Sequence, residues 1–471
     1  RAQPQSGDPG ARGAGGAGMN RRRDPLVPPG LSASALTDRV SATVLGTRPP
    51  RAWWLALGLA TLLSLLFLIG VVYVLSVGVG AFGLNIPVAW GFPIINTIWW
   101  IGIAHAGTLI SAVLWLTRQD WRASISRSAE AMAMFAIVLA GSYPLLHLGR
   151  PEFAYFLLPY PNLMDLWPQW RSPLVWDFFA IASYLLFTAS FLFLSLLPDL
   201  ASLRDRARHR AVQLFYGVLA LGWRNSARHW HRYQQAHRVL AVIAVPIVVS
   251  VTGTISLDLA VSIVPGFHFT IFPPYFVAGA LYSGFATVAI IAIILRALFG
   301  FRDLITRAHL NRLGIMMLCF VLVVDYAYLQ EVFTAFYTGE DFYRSVYYDR
   351  WTGPYAPFYW GMILCNVVLA QGLWFRRLRE SVPGLLCLAV IAEIGMWLER
   401  FQIVITSTHK DYMPSAWDTV TPSAWDWLTY AGSIGVFVVL LLLFIKLMPA
   451  ISMHDMREML HRRQQREADH E

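Results

Sequence analysis

Apolar residues recur along the chain in ten unbroken stretches, roughly 54–76, 91–117, 130–148, 172–197, 236–260, 273–298, 309–337, 355–375, 383–406 and 426–448. A stretch of about 20 apolar residues crosses the hydrocarbon core as a helix. The pattern therefore predicts an all-α polytopic membrane protein with ten transmembrane helices over 54–448. Residues 1–53, rich in Gly, Pro and Arg, are expected to form a largely disordered tail, and 449–471 a second tail. No short apolar segment with a cleavage site precedes the first span, so no signal peptide is expected. The first methionine is Met19, and residues 1–18 read as an upstream extension.

Composition agrees. Hydrophobic residues are 56% of the 471 and charged residues 14%, against about 25% charged in soluble proteins. A set of soluble domains is excluded. The net charge of +9 does not point to nucleic acid, because the basic residues lie in short blocks between apolar runs. With the N-terminus inside, 31 of the 37 Lys and Arg fall on inner segments and adjoining span ends, and five on outer loops. That bias predicts both termini in the cytoplasm. Cys319, Cys365 and Cys387 lie within apolar runs with no C-x-x-C. A disulfide framework, a cysteine-held cluster and a covalent haem are not expected in this chain.

Residues 240–244 and 388–392 both read LAVIA, and Gly91-Phe92 and Gly266-Phe267 precede the second and sixth spans. Spans two to five and six to nine then form two similar four-helix bundles, about 91–260 and 273–406, running in the same direction. Spans one and ten are left as two peripheral helices. Loops 149–171, 338–354 and 407–425 are rich in Trp, Tyr, Pro and Asp. They suit interfacial anchoring or the docking of an external partner.

Ionisable residues inside spans are expensive and carry a functional hypothesis by default. Span direction places His147, Asp177, Asp258, Glu399 and Arg400 at one depth near the outer face, Asp177 about 8 Å below its span's outer end. Such a set can accept protons from a hydroxyl-bearing ligand, with Trp176, Phe178, Phe179 and Phe401 holding a flat ring. Each has a plainer role too. His147 and Asp258 suit an interface, Asp177 a helix cap, and Glu399 and Arg400 a structural ion pair. Deeper lie His105, Asp325, Glu331 and Glu393, the last on the face of Arg400 and about 10 Å from it along the axis. These can relay protons part-way across the membrane or serve as satisfied buried groups. The span histidines, His105 and His147, differ in depth, so they do not form a haem pair, and no metal ligand set is expected.

Residues 99–111 (WWIGIAHAGTLIS), 145–151 (LLHLGRP), 172–178 (SPLVWDF), 270–278 (TIFPPYFVA) and 396–401 (MWLERF) resemble the NrfD/PsrC-type membrane subunits, and among these the NrfD-type subunit of bacterial alternative complex III. The resemblance covers about 50–450. It implies a ten-helix protein of the bacterial plasma membrane with two four-helix bundles. It also implies a quinol site near the extracytoplasmic face, at positions corresponding to His147, Asp177, Asp258 and Arg400. Proton routes through the bundles are implied as well. One departure stands out: a histidine is expected near the middle of span five, where Val251-Thr252-Gly253 stands, which puts a proton-relay role for that span in doubt.

The expected mechanism follows. A quinol, menaquinol by expectation, binds between spans three, four, five and nine. His147 and Asp177 take its hydroxyl protons, Asp258 assists their release, and Arg400 orients a ring oxygen. Electrons leave to an iron–sulfur partner subunit on the extracytoplasmic side. The expected assembly of a respiratory or photosynthetic complex adds a second NrfD-like membrane subunit and multihaem and monohaem cytochrome c subunits. The alternatives are the membrane anchor of a polysulfide- or nitrite-reductase-type complex with a molybdenum or haem enzyme, an ion-coupled secondary transporter, and an anchor that lost its quinol site.

Overall fold

A computed structural model describes residues 26, 31–46, 49–158, 170–410 and 412–468. Among them every regular element is helical, and ten helices are long and apolar enough to cross a membrane. A short helix, α1 (Ala33–Leu45), precedes the first span, α2 (Arg51–Val77). Then come α3 (Phe92–Leu116), α4 (Ser126–His147) and α5 (Pro173–Arg206). The short α6 (Arg210–Leu219) leads to α7 (Ala227–Ala260), α8 (Phe272–Leu298) and α9 (Arg307–Tyr337). After the short α10 (Asp341–Thr352), α11 (Ala356–Ile363) continues through a π turn at Leu364–Val368 and a 3₁₀ segment to complete the span Ala356–Trp374. The one-turn α12 (Arg376–Glu380) precedes α13 (Val382–Phe401), which ends in a second π turn at Gln402–Thr406. The last span is α14 (Ala424–Leu447), followed by α15 (Met453–Ala468).

Span ends agree with the apolar runs to within four residues, except that α5 and α7 are longer, at 34 residues each. Their extensions carry Asp199, Arg204 and Arg206, and Arg228 and Arg232. Apolarity stops where the bilayer stops, whereas helical hydrogen bonding continues as long as residues permit it.

The central helix is α3. Its most apolar window is 94% buried, against 11% for α2. It packs on α4, α7, α8 and α13. Small residues allow the close approach. Gly102 lies against Ala280 and Ser283, and a Cβ on Gly107 would meet the Ala129 carbonyl. A Cβ on Gly284 of α8 would lie only 1.8 Å from Cβ of Ala106. Around this seam, α3, α4, α5 and α7 contact one another in a ring, and so do α8, α9, the span Ala356–Trp374 and α13. The contacts are consistent with two groups of four. To one side α2 pairs with α14, where Gly432 and Gly435 meet the backbone of Phe67 and Ser64.

Helices α1 and α15 lie on one side, here the terminal side. The segment 1–53, expected to be a largely disordered tail, includes α1, and the tail 449–471 includes α15. Leu36, Val40 and Val44 form a buried stripe on α1 at helical spacing, and Ser32 caps it by accepting from Ala35 N. The ammonium of Lys446 donates to the carbonyls of Thr43 and Val44. Arg39 reaches Asp303 in the α8–α9 loop at 2.8 Å. Thus α1 and α15 are docked onto the terminal side.

Candidate functional site

On the far side, α4 ends at His147, and Gly149 (φ +72°) turns the chain away. Pro173 starts α5, placing Asp177 one turn inside it. Asp258 lies near the end of α7. The packing of α5 on α7 sets the carboxyl groups of Asp177 and Asp258 side by side. Asp258 is 6% exposed, and neither of its oxygens accepts a hydrogen bond from a donor among the described residues. Oδ1 of Asp177 and Nδ1 of His147 are likewise buried without a partner among the described residues. Just past the end of α4 an open groove of about 640 Å³ runs along Val79, Leu148, Arg150, Phe153 and Leu157; His147, Asp177 and Asp258 are not among its lining residues. Of the expected ring-holding aromatics, Phe179 stacks on Trp170 and touches Phe178, and Trp176 Nε1 donates to the Trp170 carbonyl at 2.6 Å. Phe401 is elsewhere: it is buried in the second group of helices, stacked on Phe358 at 4.3 Å.

The five residues expected at one depth thus fall into two places. Glu399 and Arg400 stand on α13, which packs on α8, α3 and the span Ala356–Trp374. No described contact joins them to the two aspartates. Instead they form a buried ion pair. The Tyr328 hydroxyl donates to the second Glu399 oxygen, and Asn366 Nδ2 donates to that hydroxyl at 2.9 Å. The Arg400 guanidinium lies 4.7 Å over the Phe276 ring and against Gly279. Any larger residue at 279 would meet it.

The structure brings Glu331 to this centre. Glu331, Arg350, Tyr347, Tyr328, Glu399 and Gln402 line one cavity. Its free volume of about 20 Å³ admits a single water. Arg350 lies 3.4 Å from Glu331, and Tyr347 donates to the same carboxylate at 3.0 Å. Toward the terminal side, Glu393 accepts from Thr287 at 2.7 Å. Asp325 accepts from Gln371 at 3.3 Å on the rim of the group. His105, in the first group, bonds Thr252 at 2.7 Å and meets the edge of Tyr184. Tyr184 in turn donates to Thr108.

One polar cluster escaped sequence reading. Arg127, Glu130 and Asp199 are each no more than 2% exposed. Arg127 donates to Asp199 at 3.1 Å and to the Ser195 carbonyl at 2.6 Å. Glu130 accepts from Ser111 at 2.6 Å and from Ser195. Asp199 also accepts from the backbone N–H groups of Met453 and His454, both at 3.1 Å, and so caps α15. The signals were an Arg-x-x-Glu pair entering one apolar run and an Asp two residues past the end of another. Nearby, ligand atoms of His454, Asp455 and Glu458 come within 4.8 Å of one another. Both carboxylates are engaged by arginines, Asp455 by Arg122 and Glu458 by Arg462, which disfavours a cation there.

Comparison with known proteins fits this architecture. The chain is 23% identical to a selenate reductase subunit from Mesobacillus selenatarsenatis, over 83% of this chain and 94% of that protein. It is 24% identical to a putative dimethyl sulfoxide reductase membrane subunit from Halobacterium salinarum, over 76% of this chain and 78% of that one. Both relatives are named as subunits of oxidoreductases. Residues 80–410, which hold eight of the ten spans and every ionisable group of the two far-side centres, match the family described as "Polysulphide reductase, NrfD", and the chain belongs to that family of redox-complex membrane subunits.

Proposed function

We propose that this chain is the quinol-oxidising membrane subunit of a multi-subunit oxidoreductase, with its quinol site at the far-side ends of α4, α5 and α7. The observation that carries the reading is the Asp177–Asp258 pair, side by side and poor in protein donors, with unpartnered His147 Nδ1 on the next helix. Oxidation of a quinol to a quinone releases two protons and two electrons. The protons need bases within hydrogen-bond reach of the hydroxyls. Two adjacent carboxyls can hold one proton between them, and a histidine can take the other. Asp177 and His147 act as the bases, and Asp258 passes protons on to the aqueous phase. The ring approaches these side chains by way of the groove just past the end of α4, where Phe153 supplies an apolar wall.

The electrons leave one at a time to an iron–sulfur partner on the extracytoplasmic side, and the redox chemistry is the quinone's own. Menaquinol is the proposed quinol. Arg400 belongs with Glu399 and Glu331 in the second centre, where it holds that cavity's charge balance and does not touch the quinol.

Two assemblies suit such a subunit. The relatives named as selenate and dimethyl sulfoxide reductase subunits favour a complex with a molybdenum enzyme as electron acceptor. The sequence resemblance over about 50–450 suggests one of the alternative complex III type, with haem c subunits and a second NrfD-like subunit. Molybdenum against haem c in the purified native assembly separates them.

The test of the site is quinol oxidation by that assembly, wild type against Asp177→Asn and His147→Ala, with metal and haem content matched. Loss of turnover by about two orders of magnitude supports general-base roles. Normal turnover in intact variants removes the site from α4, α5 and α7.

A further inference from the structure

The segment joining α5 to α7 has a composition unlike the rest of the chain. No Asp or Glu occurs between Arg206 and Asp258, yet Arg208, Arg210, Arg224, Arg228, Arg232 and Arg238 stand there. All six are exposed. Several other arginines on the same side are paired: Arg39 with Asp303, Arg122 with Asp455, Arg204 with Asp205, Arg206 with Asp38. None of the six has a carboxylate partner among the described residues.

Between these arginines runs α6. At 10 residues it is too short to cross a bilayer. One face is fixed to the protein: Tyr216 is buried and donates to the Leu447 carbonyl at 2.9 Å, Ala220 is buried, and the helix packs on α5. The other face is apolar and bare. Leu214 is 57% exposed, Phe215 48% and Val218 72%, and Leu221 just beyond is 71% exposed. The chain then turns through left-handed residues, Leu221 (φ +46°), Gly222 (φ +70°) and Asn225 (φ +57°), around the buried Trp223. Arg224, Arg228 and Arg232 follow at four-residue spacing, so the last two share a face of α7 with the residue that leads into it.

We infer that α6 lies in the plane of the terminal-side leaflet and that the arginines around it bind anionic phospholipid headgroups. The apolar face supplies the depth. Leu214, Phe215 and Val218 sit at the acyl boundary, as an interfacial amphipathic helix requires. The arginines then lie at phosphate level, where guanidinium forks match phosphate oxygens. Uncompensated positive charge on this scale complements an anionic leaflet, and the exposed apolar face distinguishes a lipid partner from a soluble polyanion.

The test uses the native assembly reconstituted in mixed phosphatidylcholine bilayers, with spin-labelled phosphatidylglycerol or phosphatidylcholine as probe. The motionally restricted fraction reports lipid held at the protein surface. The wild type is expected to retain phosphatidylglycerol several-fold over phosphatidylcholine, with the preference falling as salt is raised. The combined variant Arg210→Gln, Arg224→Gln, Arg228→Gln, Arg232→Gln is expected to bring the two lipids to parity at unchanged thermal midpoint and quinol turnover. Arg302→Gln with Arg307→Gln, basic positions in the α8–α9 loop region, should keep the preference. If the quadruple variant does not assemble, Arg224→Gln with Arg228→Gln is read in its place and should halve the preference. Parity in the wild type, or an unchanged preference in the α6-region variants, overturns the inference; the first outcome is also what a protein partner covering α6 would give.

Discussion

Nδ1 of His105 lies 2.7 Å from Oγ1 of Thr252, joining α3 to α7 at the middle of the first group of helices. The same site recurs in the second group. If Gly91-Phe92 corresponds to Gly266-Phe267, His105 corresponds to Ala280. If the two LAVIA runs correspond, Thr252 corresponds to Arg400. Arg400 indeed packs on Gly279, the neighbour of Ala280. One helix crossing is thus filled by a neutral hydrogen bond in one half and by a charged centre in the other. It also shows what occupies span five where a histidine was expected: Thr252 partners the histidine of α3.

Replacing Thr252 by Val leaves both nitrogens of a fully buried imidazole without a protein partner, since Nε2 already has none. Loss of about 1–3 kcal/mol is expected, read as a lower thermal midpoint of the purified protein. Thr252→Ser, which keeps the hydroxyl, should stay near wild type.

Gly284→Ala should be among the most damaging single-methyl changes in the chain. The new Cβ would overlap Ala106, and overpacking of this kind costs about 1–3 kcal/mol or more. Gly253→Ala, whose Cβ meets nothing within 4 Å, is the control and should be neutral or slightly stabilising. Detergent thermal melts of the two variants, run in parallel, decide the matter.

Asp199→Ala removes the cap of α15 and one of the two carboxylates beside the buried Arg127, leaving Glu130 at 3.8 Å. A buried charge left with no partner costs about 3–5 kcal/mol, so a smaller loss is expected here. The expected readout is local first: protease cleavage within 453–468 should quicken before the membrane helices lose structure. Asp199→Asn retains an acceptor for the Met453 and His454 N–H groups and should protect α15 better than Ala does.

On the far side Asp349 is held by His409, at 2.8 Å, and by Lys410. Burial alone would push its carboxyl up, but the hydrogen bonds and charges of His409 and Lys410 outweigh this and hold it below the usual carboxylate range. A lowered folded-state pKa stabilises the fold above the unfolded value and ceases to do so as pH falls through the folded one. The wild type should therefore exceed Asp349→Asn by a constant margin, about 1–3 kcal/mol, above roughly pH 4. That margin should shrink as the solution is acidified further. A margin that survives well below pH 3 would show that the carboxylate charge is not its source.

The ten spans were legible because bilayer thickness imposes one length on every one of them. Span direction put Asp177 and Asp258 toward the same helix ends, and the packing of α5 on α7 brings them together. Span direction says nothing of position within the membrane plane: Glu399, Arg400 and Phe401 stand on α13, in the other group of helices. Glu331, read as a proton-path residue, turned out to share a cavity with Glu399 because α9 and α13 flank one span. Arg127, Glu130 and Asp199 were missed because charges at span ends read as solvated, whereas packing among α3, α4 and α5 pairs them and α15 docks over Asp199. Helices α1 and α15 carry too few apolar residues to be distinguished from polar tails until their partner surfaces are known.

The seam between α3 and α8 also constrains how the molecule can work. Proteins that alternate between inward and outward access rock one half against the other, which needs an interface able to open and repack. Here the contact at Gly284 and Ala106 is nearly backbone on backbone, with no long side chains to change rotamer and take up a gap. Opening it would forfeit the close small-residue packing that holds helices together in lipid. The two halves are therefore keyed together as one rigid keel, suited to holding fixed sites at fixed separation and unsuited to ferrying a solute by a swinging motion.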